Sequence, residues 1–392
     1  MIKRKIFDDL EDALTAKQII VITGMRRVGK TTSVKYLLDK IPGDNKIYYD
    51  LERIEYRILF KEPNYQNIIQ ALRSEGIDLD RKACIAIDEI QLVPQITSVI
   101  KYLYDNYDIK FITTGSSSFY LKNHFSESLA GRKRVFELPT LSFDEYLLFR
   151  DVKADLSRGV ISKINPIIYN RLLPYYKDYI EYGGFPEVVL ADSNSTKEAL
   201  LKDIINSYFQ IDIKYFADFN KIDQIYKIIT LLTSRVSSKV DYSKLAGITG
   251  INRQLIKEYL LFFEQTFLIR QVPAFVKNSD REIALQKKLY FTDNGLLNIL
   301  GKVNTSALLE NSIANQLARV GDIRYYARRT GQEIDFILDE KIAFEVKETP
   351  DLHDLLLLKA RSRQINIAES YLIGLYQVNP GFSDFVWAGD IY

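Results

Sequence analysis

The chain has 392 residues, 47% hydrophobic and 27% charged, the balance of a soluble globular protein longer than one hydrophobic core usually organises, so two or three domains are expected. Lys and Arg number 53 against 51 Asp and Glu, and a net charge of +2 excludes strong long-range attraction to polyanions, so any such contact has to come from a local patch. The single cysteine, Cys84, excludes an intramolecular disulfide, and two histidines, His124 and His353, are too few for a zinc site of the usual Cys/His kind.

The amino-terminal stretch MIKRKIFDDLEDAL carries four carboxylates where a signal peptide needs an unbroken apolar core. No apolar run approaches the roughly 20 residues that cross a bilayer. A cytoplasmic protein with no membrane contact is expected.

From residue 19 to about 140, short apolar runs alternate with helical stretches: IIVIT, KIYYDL, ACIAID, KFITTG and RVFELP. Continuous apolar strands separated by helices predict a parallel sheet covered on both faces, an α/β domain. Directly behind the first strand comes TGMRRVGKTT, in which Gly24 to Thr31 fit G-x-x-x-x-G-K-[ST]. Glycines let such a loop curl until its backbone N–H groups face a phosphate, and the following helix presents its positive end. Lys30 is placed to bridge β- and γ-phosphates and Thr31 to hold Mg²⁺, making ATP with Mg²⁺ the expected cofactor. The predicted nucleotide contact takes in the whole loop, with Arg26, Arg27 and Val28 between Gly24 and Gly29 and with Thr32 behind Thr31. The two arginines occupy variable positions and are expected to point outward.

ACIAID ends in Asp88, 58 residues beyond Lys30, with Glu89 next. Asp88 is the expected partner of the magnesium shell and Glu89 the group that polarises the attacking water. The following strand, FITTGSSS, offers Thr114 and Ser116 as γ-phosphate sensors; a plain strand-to-loop turn is the alternative. Arg132 and Arg134, in AGRKRVFEL, are candidates for stabilising transition-state charge, Arg132 in particular, against the alternative of solvated surface cations.

The series ITGMRRVGKTT, YYDLE, IDEIQLVP, TGSSS, SLAGRKRVFELPTLSFDEYL, YGGFPEVV, KLYFTDNGLL, LENSIANQL and EIDFIL with IAFEVK resembles, over nearly the whole chain, a bacterial and archaeal family of AAA+ ATPases whose carboxyl-terminal half is a domain of unknown function. The resemblance implies a P-loop ATPase architecture more than a pathway, and an arginine acting in trans would imply a homo-oligomer.

Beyond LPTLSFDEYLLF the chain turns long, aromatic and helical, broken at YGGFPE. Residues 241–272 read as a helix, a Gly-containing turn and a second helix, a helix-turn-helix with FLIRQVPAFVK as wing. Asn252, Arg253, Gln254 and Lys257 open its second helix and are candidates for a DNA groove, with Ser238 and Lys239 near a phosphate. The alternative is the packing or lid module that AAA+ proteins build from similar helices.

GQEIDFILDEKIAFEVKE predicts a tight antiparallel hairpin turning near Asp339 and Glu340, which brings Asp335 near Glu345. Helix, three strands, helix, strand is the order of the PD-(D/E)XK nuclease core, which this region resembles, although Ile334 replaces the proline of the motif. The resemblance implies Asp335 and Glu345 as Mg²⁺ ligands, Glu310 as an outer ligand and Lys347 as the group that orients water. Arg324, Arg328 and Arg329 are candidates to position a phosphodiester. The alternative is a degenerate nuclease fold that binds without cutting.

The expected organisation is therefore an AAA+ domain over 1–145, a helical and winged-helix middle over 146–280 and a nuclease-like α/β domain over 281–392. The expected function is ATP hydrolysis coupled to action on DNA. A nucleotide switch with a protein partner and an ATP-gated, metal-dependent nuclease are the alternatives.

Overall fold

The computed structural model describes residues 1–116, 129, 131–154, 166–213, 222–276, 285–328, 330–377, 382 and 384–391; His124 and Arg329 lie outside them. The chain divides into two compact units, Met1–Pro139 with Gln265–Phe267, and Thr140–Glu264 with Leu268–Tyr392.

The first unit begins with α1 (Ile6–Leu14) and β1 (Ile19–Thr23), followed by α2 (Lys30–Lys40) and β2 (Lys46–Asp50). Helices α3 (Ile54–Lys61) and α4 (Tyr65–Ser74) lead to β3 (Ala83–Asp88), then α5 (Ile96–Asn106), β4 (Ile109–Gly115) and β5 (Lys133–Glu137). All five strands are parallel, in the order β2-β3-β4-β1-β5. Strands β1, β3 and β4 are buried along their whole length, which explains the apolar runs of β1 and β3, while in β4 the buried Lys110 donates to the carbonyls of Ala13, Ala16 and Gln18. Each fully buried Ile or Val there contributes about 1.5–3 kcal/mol of transfer free energy. Parallel register aligns Thr23 with Gly115 and Asp50 with Asp88, so the segments following β1, β3 and β4 gather at one edge. That edge is where an open α/β sheet binds ligands.

The second unit opens with α6 (Phe143–Phe149), α7 (Pro166–Tyr182), α8 (Pro186–Leu190) and α9 (Asn194–Ser207), the last continuing into a π-helical turn at Tyr208–Ile213. Then come α10 (Ile222–Thr233), α11 (Tyr242–Thr249), α12 (Arg253–Gln265), β6 (Ile269–Val272), β7 (Lys288–Phe291), α13 (Asn294–Gly301) and α14 (Thr305–Val320). The chain finishes with β8 (Ile323–Ala327), β9 (Glu333–Leu338), β10 (Ile342–Lys347), α15 (Leu352–Gln364), β11 (Glu369–Gly374) and β12 (Val386–Trp387). The last five strands form one sheet, β12-β11-β10-β9-β8, antiparallel from β8 to β10 and parallel from β10 to β12. The hairpin turns at Asp339 and Glu340, both with left-handed backbone, and pairs Phe336 with Phe344.

The expected boundary at 280 falls between β6 and β7, which pair antiparallel from Ile269↔Phe291 to Val272↔Lys288. The ladder ties the two expected domains together, so 146–280 and 281–392 share one unit. The expected boundary at 145 moves to Pro139 because residues 140–145 are anchored in the second unit: Leu141 N–H donates to the Gly184 carbonyl at 2.7 Å and Arg319 donates to the Thr140 carbonyl at 2.8 Å.

A buried polar knot fixes the centre of this unit. Asp293 accepts from the amides of Gly295 and Leu296, capping α13, and from the Gly184 amide at 2.8 Å. Asn311 closes a two-way bond with the backbone of Phe291 and donates to Asn294 Oδ1. Beside it Phe143, Tyr176, Tyr179 and Trp387 pack edge-to-face or tilted. Among the described residues no helix is long and apolar enough to cross a membrane.

Candidate functional site

Gly24 has φ +147°, and a Cβ there would lie 2.2 Å from the Leu138 carbonyl oxygen; only glycine lets the loop pass. Gly29, at φ +102°, is the N-cap of α2 and gives that helix no side-chain cap. The first amides of α2 and the positive end of its dipole therefore suit an anion. Lys30 is buried, and its ammonium donates to the carbonyls of Gly24 and Met25, both at 3.0 Å, folding the loop around itself.

Across the sheet edge, Asp88 collects three hydroxyls. Thr31 donates to Oδ2 at 2.6 Å, Tyr48 donates to the same oxygen at 2.8 Å, and Thr114 donates to Oδ1. Bonds of this kind to a carboxylate are roughly twice as strong as neutral ones. Burial, then the charge of Asp88, raises the Tyr48 phenol above its ordinary pKa, so Tyr48 remains a donor. Glu89 is buried in left-handed backbone at φ 56°, an arrangement costing about 1–3 kcal/mol, and its amide is held by the Thr114 hydroxyl at 3.0 Å. The Glu89 carboxylate lies 3.8 Å from the Lys30 ammonium.

Lys30, Thr31, Asp88, Glu89 and Thr114 are thus brought together, and Ser116 joins them through Gln91, which donates to it at 2.9 Å. Thr32 and Arg27 are exposed, while Val28 is buried in the core. Arg26 differs from expectation. Its side chain folds inward, 3.1 Å from Glu52 and 3.8 Å from Glu89, because two carboxylates flank the loop. The residues fit a nucleotide with Mg²⁺: an uncapped helix start, a buried lysine, and a hydroxyl paired with a carboxylate.

Arg132 stands apart from this group. It precedes β5, and its carbonyl accepts from Ile19 at the start of β1, so it occupies the opposite edge of the sheet from the loop. The length of β1, about 13 Å, separates the two. Its guanidinium pairs with Asp105 at 2.9 Å, and it does not reach the phosphate edge of its own chain. Arg134 stacks over the Phe136 ring.

In the second unit, α11 ends at left-handed Gly250, α12 follows, and β6 and β7 form the ribbon after it. Ile256, Tyr259, Leu260 and Phe263 point into the core, leaving Asn252, Arg253, Gln254 and Lys257 exposed at the front of α12. Ser238 and Lys239 are exposed as well. The wing differs in one respect: its second strand is β7, beyond FLIRQVPAFVK.

Carboxylates from β9 and α14 surround a residue that sequence reasoning missed. Lys288, on β7 and 2% exposed, forms an ion pair with Glu333 and lies 3.4 Å from Glu310 and 3.7 Å from Asp335. Burial opposes its charge, but Asp335, Glu310 and Glu333 outweigh that cost and hold its pKa above the ordinary lysine range. Burial and the neighbouring Asp335 raise both Glu310 and Glu345 above ordinary carboxyl values. Asp335 accepts the Val346 amide at 2.9 Å, and Lys347 donates to Glu345 at 2.9 Å. The expected Mg²⁺ set of Glu310, Asp335 and Glu345 does not assemble: among the described residues no group of three carboxylates or other ligands is placed to hold a metal. Lys288 contacts two of the three, Glu310 and Asp335. Arg324 pairs with Asp322 and Glu340, and Arg328 contacts Tyr326.

Nothing in QKKLYF distinguishes Lys288 from a surface lysine. Tyr48 and Gln91 were missed too; the alternation of KIYYD and the nearness of Gln91 to Glu89 were the available signals.

Two family models match the chain. One, described as an AAA domain, covers residues 16–147, and the other, a domain of unknown function (DUF8612), covers 173–307 and runs across the expected boundary at 280. Uncharacterized proteins of Methanocaldococcus jannaschii and Haemophilus influenzae are each 28% identical, covering 88% and 90% of this chain and 79% and 89% of their own. Among solved structures, the ADP form of the Aeropyrum pernix ORC2 protein aligns with TM-score 0.37 at 13% identity, over 76% of this chain and 93% of that one. The A. pernix ORC1 protein in complex with DNA aligns at 0.33 and 10%, over 75% and 90%. The family model and the loop geometry together give the first unit an AAA-type P-loop fold.

Proposed function

We propose that the first unit binds and hydrolyses ATP. Backbone amides of the 24–29 loop and the start of α2 cradle the phosphates, and Lys30 turns its ammonium to the β- and γ-phosphates. Thr31 and Asp88 hold Mg²⁺, whose chemistry there is to neutralise phosphate charge. Glu89 accepts the hydrogen bond of the attacking water and polarises it. Thr114 fixes Asp88 and the Glu89 amide at once, keeping the two acids in register. The observation that carries the reading is the convergence of Thr31 and Thr114 on Asp88 beside buried Lys30. The test is Glu89→Gln: nucleotide binding persists and turnover stops. Normal hydrolysis by that variant removes Glu89 from the role of base.

The second unit is proposed to act on DNA through its helix-turn-helix, with Asn252, Arg253 and Lys257 toward the duplex. Their exposure at the front of α12 supports the reading. Hydrolysis stimulated by duplex or branched DNA is the expected result. Turnover indifferent to every DNA tested favours a nucleotide switch acting on a protein partner.

A further inference from the structure

We infer that the Lys288 ammonium is a built-in counter-cation, standing where a nuclease-like cluster would take a divalent ion, so that this cluster binds no metal. The inference stands apart from the ATP site. Four carboxylates, Glu310, Glu333, Asp335 and Glu345, meet three side-chain cations, Lys288, Lys347 and Arg361. Lys288 alone contacts three of the four acids.

A magnesium ion needs oxygens converging at about 2.0–2.1 Å in near-octahedral array. Here Glu310 Oε1 accepts the Tyr290 hydroxyl at 2.8 Å and lies 3.4 Å from the ammonium, while Asp335 accepts the Val346 amide on Oδ2 at 2.9 Å and turns Oδ1 toward the ammonium at 3.7 Å. A second cation would meet Lys288 at close range in a buried place, where like charges repel most strongly. One acceptor is left over: Glu345 Oε2 is buried with no hydrogen-bond partner. Removing the ammonium would therefore leave Glu310, Glu333 and Asp335 uncompensated beside an unused carboxylate oxygen; they are not arrayed for a metal as they stand, but hard oxygens released from Lys288 can close on a divalent ion.

Lys288 also has a structural address. It stands opposite Val272 in the wing ribbon and bridges to Lys239, so the ion pairs join the wing to β9 and α14. The carboxylates that would have served chemistry serve instead to seat a winged helix on the sheet behind it.

The experiment is Mn²⁺ binding by electron paramagnetic resonance, without nucleotide, on the full chain. Wild type and Asp335→Asn are expected to bind Mn²⁺ equally, showing no ion at the cluster. Lys288→Met is expected to gain a site that Lys288→Met/Asp335→Asn loses by at least the roughly 10- to 100-fold that loss of even an outer-shell partner costs. Mn²⁺ held by wild type and lost in Asp335→Asn overturns the inference, as does a folded Lys288→Met that gains nothing. If Lys288→Met does not fold, the comparison of wild type with Asp335→Asn decides alone.

Discussion

Gln91 Nε2 donates to Ser116 Oγ at 2.9 Å and, from the same nitrogen, to Glu89. One buried amide therefore joins the end of β4 to the proposed catalytic base. If its work is to aim Glu89, Gln91→Ala lowers kcat by about tenfold, equivalent to about 1.4 kcal/mol, and leaves nucleotide affinity unchanged. Adding Ser116→Ala to that variant then costs little more, because the link is already cut. Turnover and mant-ATP binding measured on the two single variants and the double separate this from packing, which would weaken binding and turnover together.

Cys84, the only cysteine, is buried on β3, and burial pushes its thiol up to about 12. At pH 8 the native thiolate is scarce, so alkylation proceeds only through opening of the first unit. Because the folded pKa exceeds the ordinary 9.0, this group contributes stability below pH 9 that is lost as pH rises toward 12. A ligand that binds only the folded unit slows labelling by 1 + [L]/Kd, about 100-fold at 100 Kd. Mg-ATP is expected to protect Cys84 in wild type and not in Lys30→Ala. Equal labelling with and without nucleotide in wild type counts against ATP binding.

Arg253 and Lys257 are exposed one helical turn apart on α12, with no tertiary ion pair among the described residues competing for them. Each phosphate contact contributes about 0.9 to the slope of log affinity against log salt. Arg253→Gln/Lys257→Gln is expected to weaken duplex binding and lower that slope by about 2. Unchanged affinity and slope would discard the groove role of this helix.

Where backbone geometry dictates residue type, the sequence was legible. The curled loop requires Gly24 and Gly29, burial on both faces makes β1 and β3 apolar up to their final residue, and the hairpin turns where Asp339 and Glu340 tolerate left-handed backbone. Long-range placement was not legible. Arg132 lies near in sequence to a strand whose far end reaches the phosphate edge, and only the parallel register of β1 and β5 shows which end it occupies. The partners of Arg26 and Lys288 come from Glu52, Glu89, Glu310, Glu333 and Asp335, all brought in by other elements. No local pattern encodes such pairings. For the same reason the boundary at 280 was misplaced: the β6–β7 ladder spans a stretch whose composition reads as a break.

The Asn311 knot gives a stability test of the second unit. Asn311→Leu keeps the approximate volume but orphans the Phe291 amide and Asn294 Oδ1, both buried, while the Phe291 carbonyl keeps its bond from Asn315 at 2.7 Å. Each buried orphan costs about 1–3 kcal/mol, so a loss of about 2–6 kcal/mol is expected. Asn315→Leu should cost less, because Asn311 still satisfies that carbonyl. Urea unfolding followed by the fluorescence of Trp387, the sole tryptophan and part of the second unit, reads the difference, while Cys84 labelling reports the first unit separately. Equal midpoint shifts for the two variants would mean that the bond to the Phe291 amide contributes nothing beyond the shared carbonyl, and that the knot is held by packing alone.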